Sequence, residues 1–120
     1  MVTNLTSLAW PQRTALGLGA LLVVWGVVDF VRGDAPLGTL HVVTGLVTAL
    51  AAVRTRVARL VGTLMGVVYL VVFAFGVSRS GGAMDAGLVG NVAHLLVGFA
   101  SVAVAEGCAW CEQRADRTAR

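Results

Sequence analysis

A chain of 120 residues is long enough for one domain, and its 58% hydrophobic and 12% charged content departs far from the soluble average of about 25% charged residues. With a mean hydropathy of +0.86, the composition is that of a membrane protein and argues against a water-soluble enzyme. The net charge of +3 rests on arginine alone; without an aromatic-interleaved basic patch it points to anionic inner-leaflet lipid and not to nucleic acid.

Four apolar segments follow in order, at 14–31, 37–53, 57–77 and 86–107. A bilayer core of about 30 Å needs roughly 20 apolar residues per helix. None of the four carries the charged face of a soluble amphipathic helix, and their continuous apolar runs exclude a β-barrel. No basic n-region precedes the first segment and no A-x-A-like site follows it, so it is read as a retained helix. Gly19, Gly26 and Asp29 share one of its faces. A tight turn follows, with Asp34 as the expected N-cap and Pro36 in the first turn of the next helix.

The second segment repeats His41, Thr44, Gly45 and Thr48 at helical spacing. After the loop RTRVAR, the third places Gly62, Gly66, Tyr69, Phe73 and Gly76 on one face, including a small-xxx-small pair. The loop SRSGGAMD ends on Asp85, a second expected cap. The fourth segment carries Asn91, His94, Gly98, Ser101 and Ala105 in one stripe, and the polar tail at 108–120 is expected to fray. Residues 1–107 then form a single transmembrane domain, with the tail outside it.

Arginine sets the orientation. Arg13, Arg54, Arg56, Arg59, Arg114, Arg117 and Arg120 fall on the side shared by both termini, against Arg32 and Arg79 on the other. The positive-inside rule places both termini in the cytoplasm, as in a multi-pass protein of a bacterial inner membrane. Trp10 and Trp110, near the inner ends of the first and fourth helices, fit an interfacial aromatic belt.

In lipid, polar side chains turn toward neighbouring helices, so the four stripes predict an all-α, up-down, four-helix integral membrane bundle. Gly45, Gly62, Gly66 and Gly98 are the expected packing positions. At 1.5 Å per residue His94 and Tyr69 each lie roughly 12 Å below the outer ends of their helices, while Asp29 and His41 flank the first turn. The candidate polar pocket is therefore Asp29, His41, Tyr69, Asn91 and His94, in the outer half. The leading reading is cross-helix hydrogen bonding in a non-enzymatic structural or accessory protein, associating with itself or a larger complex through glycine-rich faces. The alternatives use His41 and His94 for a proton, a small polar ligand or a bis-histidine haem. No catalytic constellation and no metal site is read; two histidines are too few for zinc. Cys108 and Cys111 form a CAWC pair without a βαβ context, and are expected as reduced thiols near the headgroups.

His41 and Gly45 match His94 and Gly98 in spacing, with Gly38 in the place of Asn91, a weak internal duplication that fits two tandem helical hairpins. The order LHVVTGL, an arginine-rich loop, VGTLMGVVYLVVFAFG and then N-x-x-HLLVG resembles the domain-of-unknown-function 4383 family of small four-helix bacterial membrane proteins, frequent in actinobacteria. The likeness spans residues 16–105. It implies that the family's histidine–glycine pairs fall at His41 with Gly45 and His94 with Gly98, and its asparagine at Asn91. It implies a fold and a compartment, and no activity.

Overall fold

The computed structural model describes residues 7–120, except for the side chains of Cys111 and Ala115. It is all-helical: α1 is Trp10–Val31, α2 Ala35–Ala51, α3 Thr55–Ser78 and α4 Gly87–Thr118, with no strand among the described residues. The helices α1, α3 and α4 are long and apolar enough to cross a membrane. The 17 residues of α2 span about 26 Å, at the short limit.

Local chemistry explains where the ends fall. The first helix starts four residues before the expected position 14, because Pro11 lies in its first turn and Gln12 Oε1 accepts the Ala9 N–H at 3.0 Å. It ends in a Schellman motif: Gly33, at φ +85°, donates its N–H to the Phe30 carbonyl at 3.0 Å, and Asp34 donates to the Asp29 carbonyl at 2.9 Å. Asp34 then caps α2 by accepting the Leu37 N–H at 3.3 Å. Asp85 serves differently from expectation. It lies two residues before α4 begins, and its carboxylate gathers the loop by accepting the N–H of Gly81 at 2.8 Å and of Gly87 at 3.0 Å.

The tail does not fray as the polar sequence predicts. No Gly or Pro occurs between 108 and 118 to stop the helix, and Glu112 accepts from Arg56 Nε at 2.8 Å, with Arg59 Nη1 at 3.9 Å. That pairing ties the last turns of α4 to the start of α3.

Two antiparallel pairs account for most of the packing, α1 on α2 and α3 on α4. In the first, a Cβ on Gly19 would lie 2.6 Å from the Gly45 carbonyl oxygen, and one on Gly26 would lie 2.8 Å from that of Gly38. In the second, a Cβ on Gly66 would lie 3.0 Å from the Gly98 carbonyl oxygen, and one on Gly62 would lie 3.0 Å from Ala105 Cβ. Close backbone approach, not large side chains, is what each pair is built on. The expected packing glycines Gly45, Gly62, Gly66 and Gly98 all lie at these seams.

The inner end of the core holds Ala15, Ala52, Ala58, Val104 and Cys108. Gln12 is buried beside it and donates Nε2–H to the Ala52 carbonyl at 2.9 Å. Cys108 is buried in this cluster, away from the headgroup position expected for it, because it continues the α4 stripe of Ser101 and Ala105; the side chain of Cys111 lies outside the described residues. Only 28, 33 and 39% of the apolar windows of α1, α3 and α4 are buried within the chain, so their large apolar side chains, Leu21, Val24, Leu60, Leu96 and Phe99 among them, face outward.

Candidate functional site

The stripes converge as the spacing predicts, with one exception. Asp29, His41, Tyr69 and His94 are all buried, each from a different helix, and they meet in the outer half of the molecule. The Schellman motif places Asp29 in the last turn of α1, and the Asp34 cap starts α2 so that His41 lies opposite. His41 Nδ1 and Asp29 Oδ2 are 2.5 Å apart, the geometry of a short, charge-assisted hydrogen bond. The other nitrogen, His41 Nε2, lies 3.0 Å from His94 Nε2. A three-membered chain, carboxylate to imidazole to imidazole, thus crosses from α1 through α2 to α4.

Tyr69 flanks this chain without joining it. Its ring is parallel to that of His41, with centroids 6.2 Å apart, and lies 5.7 Å from the His94 ring. The phenol oxygen is instead 2.6 Å from Thr44 Oγ1, whose own contact with the Leu40 carbonyl at 2.7 Å makes the hydroxyl of Thr44 a donor there and an acceptor from Tyr69. His41–His94 and Thr44–Tyr69 are both bonds between one helix pair and the other. They bridge a seam where α1 touches α4, and α2 touches α3, far less than partners touch within a pair.

Asn91 does not join the histidines. It lies one turn nearer the outer loop, where its Nδ2 donates to Asp85 Oδ1 at 3.0 Å and its Oδ1 accepts the Ala86 N–H at 3.2 Å. The loop groups meet it first, so the expected five-residue pocket is a four-residue cluster with Asn91 assigned to the loop. The Gly81 N–H, followed by the Gly87 N–H and the Asn91 amide, holds the Asp85 carboxyl below its ordinary value of 3.8.

The chain has two distinct ends. Asp29 lines a cavity of about 580 Å³ at the outer face, shared with Arg32, Asp34 and Asp85. At the other end His94 Nδ1 is buried and has no hydrogen-bond partner among the described residues. The direct 3.0 Å contact is shorter than the roughly 4 Å from nitrogen to nitrogen that two imidazole–metal bonds of about 2 Å need, so the rings as placed are bonded to each other and not spaced about a metal. No group of three or more His, Cys, Asp or Glu side chains among the described residues is disposed to hold a metal ion.

Sequence reasoning missed Trp25 at the site, Gln12 at the opposite end of the core, and the partner of Thr44. Trp25 presents an edge to the His41 ring at 6.2 Å, and an apolar indole in an apolar helix gives no polar signal. Gln12 lies before the apolar run begins, so it falls outside any stripe. Thr44 was visible by spacing, but its pairing with Tyr69 depends on how the helix pairs dock.

Comparison with known proteins finds no family model, no curated protein and no solved structure that matches the chain. What the fold and site define is an all-helical chain with three helices fit to span a membrane and a buried carboxylate–imidazole–imidazole chain.

Proposed function

We propose that the protein is a non-enzymatic integral membrane protein of four spans, in which the Asp29–His41–His94 chain latches two helical hairpins together and can hold one added proton. The outward apolar faces support insertion, since side chains such as Leu60 and Phe99 find no cover within the chain. In this reading α2 is a fourth, short span of an up-down bundle. Arginine asymmetry supports cytoplasmic termini and an inner face drawn to anionic lipid. The recurrence of Gly19 on Gly45 and Gly66 on Gly98 supports a tandem duplication. The same spacing of His41 with Gly45 and His94 with Gly98 supports a likeness to the 4383 family of small four-helix membrane proteins.

The observation that carries the functional reading is the chain itself, 2.5 Å and then 3.0 Å, with one end on the outer cavity. With Asp29 ionised and both imidazoles neutral, His41 donates Nδ1–H to the carboxylate and His94 donates Nε2–H to His41. One added proton, taken up at His94 Nδ1 as the Nε2–H of His94 passes to His41 Nε2, makes His41 a cation, which then donates to both Asp29 and His94. The groups facing the latch are Asp29 from α1, Thr44 from α2, Tyr69 from α3 and none of like charge from α4 among the described residues, so the site holds one carboxylate to balance one imidazolium. An interhelical bond of this kind is worth about 0.6–2 kcal/mol, so gaining or losing it shifts how tightly the hairpins dock without unfolding either.

Nitrogen NMR of ¹⁵N-histidine protein in nanodiscs tests this. The expected result is scalar coupling between the two Nε2 atoms and a single pH transition that moves both rings together; Asp29→Asn uncouples them. Two rings titrating independently, with no coupling at any pH, would overturn the latch.

A further inference from the structure

The outer cavity, of about 580 Å³, lies between the two hairpins. Arg32 and Asp34 line it from the turn between α1 and α2, Asp85 from the last loop, Val89 from the first turn of α4, and Trp25 and Asp29 from α1. Its volume falls within the roughly 300–1,000 Å³ of small-molecule sites.

The lining specifies the charge, the size and the contact atom of an occupant. Three carboxylates stand against one guanidinium, and Arg32 forms no ion pair with any of them among the described residues, so the excess charge is negative. No three acidic or ligating side chains there are disposed around a single metal ion, and the spread of charge over the cavity suits a larger, organic cation. Asp29 is only 7% exposed; His41 takes its Oδ2, while its Oδ1 has no partner among the described residues. Unlike His94 Nδ1, that oxygen is not sealed from solvent, and the outer cavity is what the Asp29 side chain lines. Trp25, 40% exposed, adds an indole whose face attracts a cation.

We infer that this cavity binds a primary ammonium, which donates an N–H to Asp29 Oδ1 and lays its carbon body against Trp25. The inference rests on the latch for its charge, since Asp29 is the ionised end of the neutral chain. An ammonium N–H suits the one carboxylate oxygen that the imidazole leaves free, and a bond between charged partners is roughly twice as strong as one between neutral groups. An anion would meet the excess of negative charge. The ammonium group is carried both by free amines and by the ethanolamine headgroup of a lipid, and either source presents the same atoms to the site. Bound there, the ligand touches both hairpins and adds to the docking that His41 and His94 provide.

The test uses a Trp10→Phe, Trp110→Phe chain at neutral pH in nanodiscs of choline and glycerol lipids, which leaves Trp25 as the sole tryptophan. Amino-TEMPO, an ammonium at that pH and a quencher of indole fluorescence, is expected to quench saturably. Hydroxy-TEMPO, the same ring without the charge, is expected to quench only linearly. Asp29→Asn is expected to weaken saturation by about tenfold or more. Because that change also breaks the latch, two variants outside the latch decide the matter. Arg32→Gln, which removes the competing cation, is expected to tighten binding about threefold, and Val89→Lys, which puts an ammonium of the chain's own on the wall, to weaken it about tenfold. Like behaviour of the two nitroxides, or binding unchanged in both Arg32→Gln and Val89→Lys, overturns the site. In nanodiscs of ethanolamine lipid, a raised half-saturation concentration supports the site and assigns it to the headgroup; an unchanged one supports it and assigns it to a free amine. If quenching fails to saturate while the nitrogen coupling persists, the ammonium site alone falls; saturable quenching without that coupling in the parent chain sinks the latch alone.

Discussion

The two helix pairs close by the same means but differ at their outer ends. In α1–α2 the backbones stay close up to Gly26 and Gly38, and the carboxylate of Asp29 stands free to meet His41. In α3–α4 the residue facing Gly76 is Asn91, whose amide occupies the groove and turns up to Asp85 and Ala86. One pair thus uses its outer end to supply charge to the centre, and the other to anchor its loop. The difference leaves His41 with a carboxylate and His94 without one, so the donors of the neutral chain all point toward Asp29.

Exchanging the two outer solutions should disturb the pairs most. In Gly38→Asn the new Cβ would lie 2.9 Å from the Phe30 ring and 3.0 Å from the Gly26 carbonyl oxygen, prising α1 from α2 beside Asp29. Overpacking of this kind costs about 1–3 kcal/mol, and we expect steric-trap unfolding to show that loss together with the loss of the His41–His94 coupling. Asn91→Gly should cost only about 0.6–1.7 kcal/mol and leave the coupling intact.

A smaller contrast lies one level further in. Gly45→Ala would put a Cβ 2.7 Å from the backbone oxygen of Gly19, whereas Gly98→Ala first meets the Leu70 side chain at 3.0 Å, which can turn aside. The same unfolding measurement should give a loss of about 1–3 kcal/mol for the first and under about 1.5 kcal/mol for the second. Equal losses would show that the two pairs are equally tight. The gentlest test is acid. Because the folded Asp85 carboxyl is held below its ordinary 3.8, the loop order it provides is complete above that value and is lost only as pH falls through the lower, folded value. Amide exchange at Gly81 and Gly87 should therefore accelerate only at strongly acidic pH.

Much of this arrangement was legible in the sequence because an apolar helix makes polar and small residues conspicuous. Asn91, His94, Gly98, Ser101 and Ala105 were grouped by spacing alone, and all are buried. The Asp29–His41 pair followed from a turn whose cap residues are unambiguous. What spacing could not supply was how one pair docks on the other, so the Nε2-to-Nε2 contact and the Thr44–Tyr69 bond appear only in three dimensions. Asn91 was misassigned because periodicity registers which face a residue occupies, not that a loop turned by Gly81 and Gly87 at positive φ will reach down to it. The tail was misjudged because polarity was taken for lack of structure, when Glu112 has arginines across from it.

The length of α4 carries a mechanical consequence. Its 32 residues form a rod of about 48 Å, well beyond a bilayer core of about 30 Å, and its far turns are strapped to α3 by Arg56. His94 lies near one end of that rod, with Thr118 about 36 Å further along it. The helix thus joins the histidine chain near one end of the bundle to the arginine-bound turns at the other in a single piece.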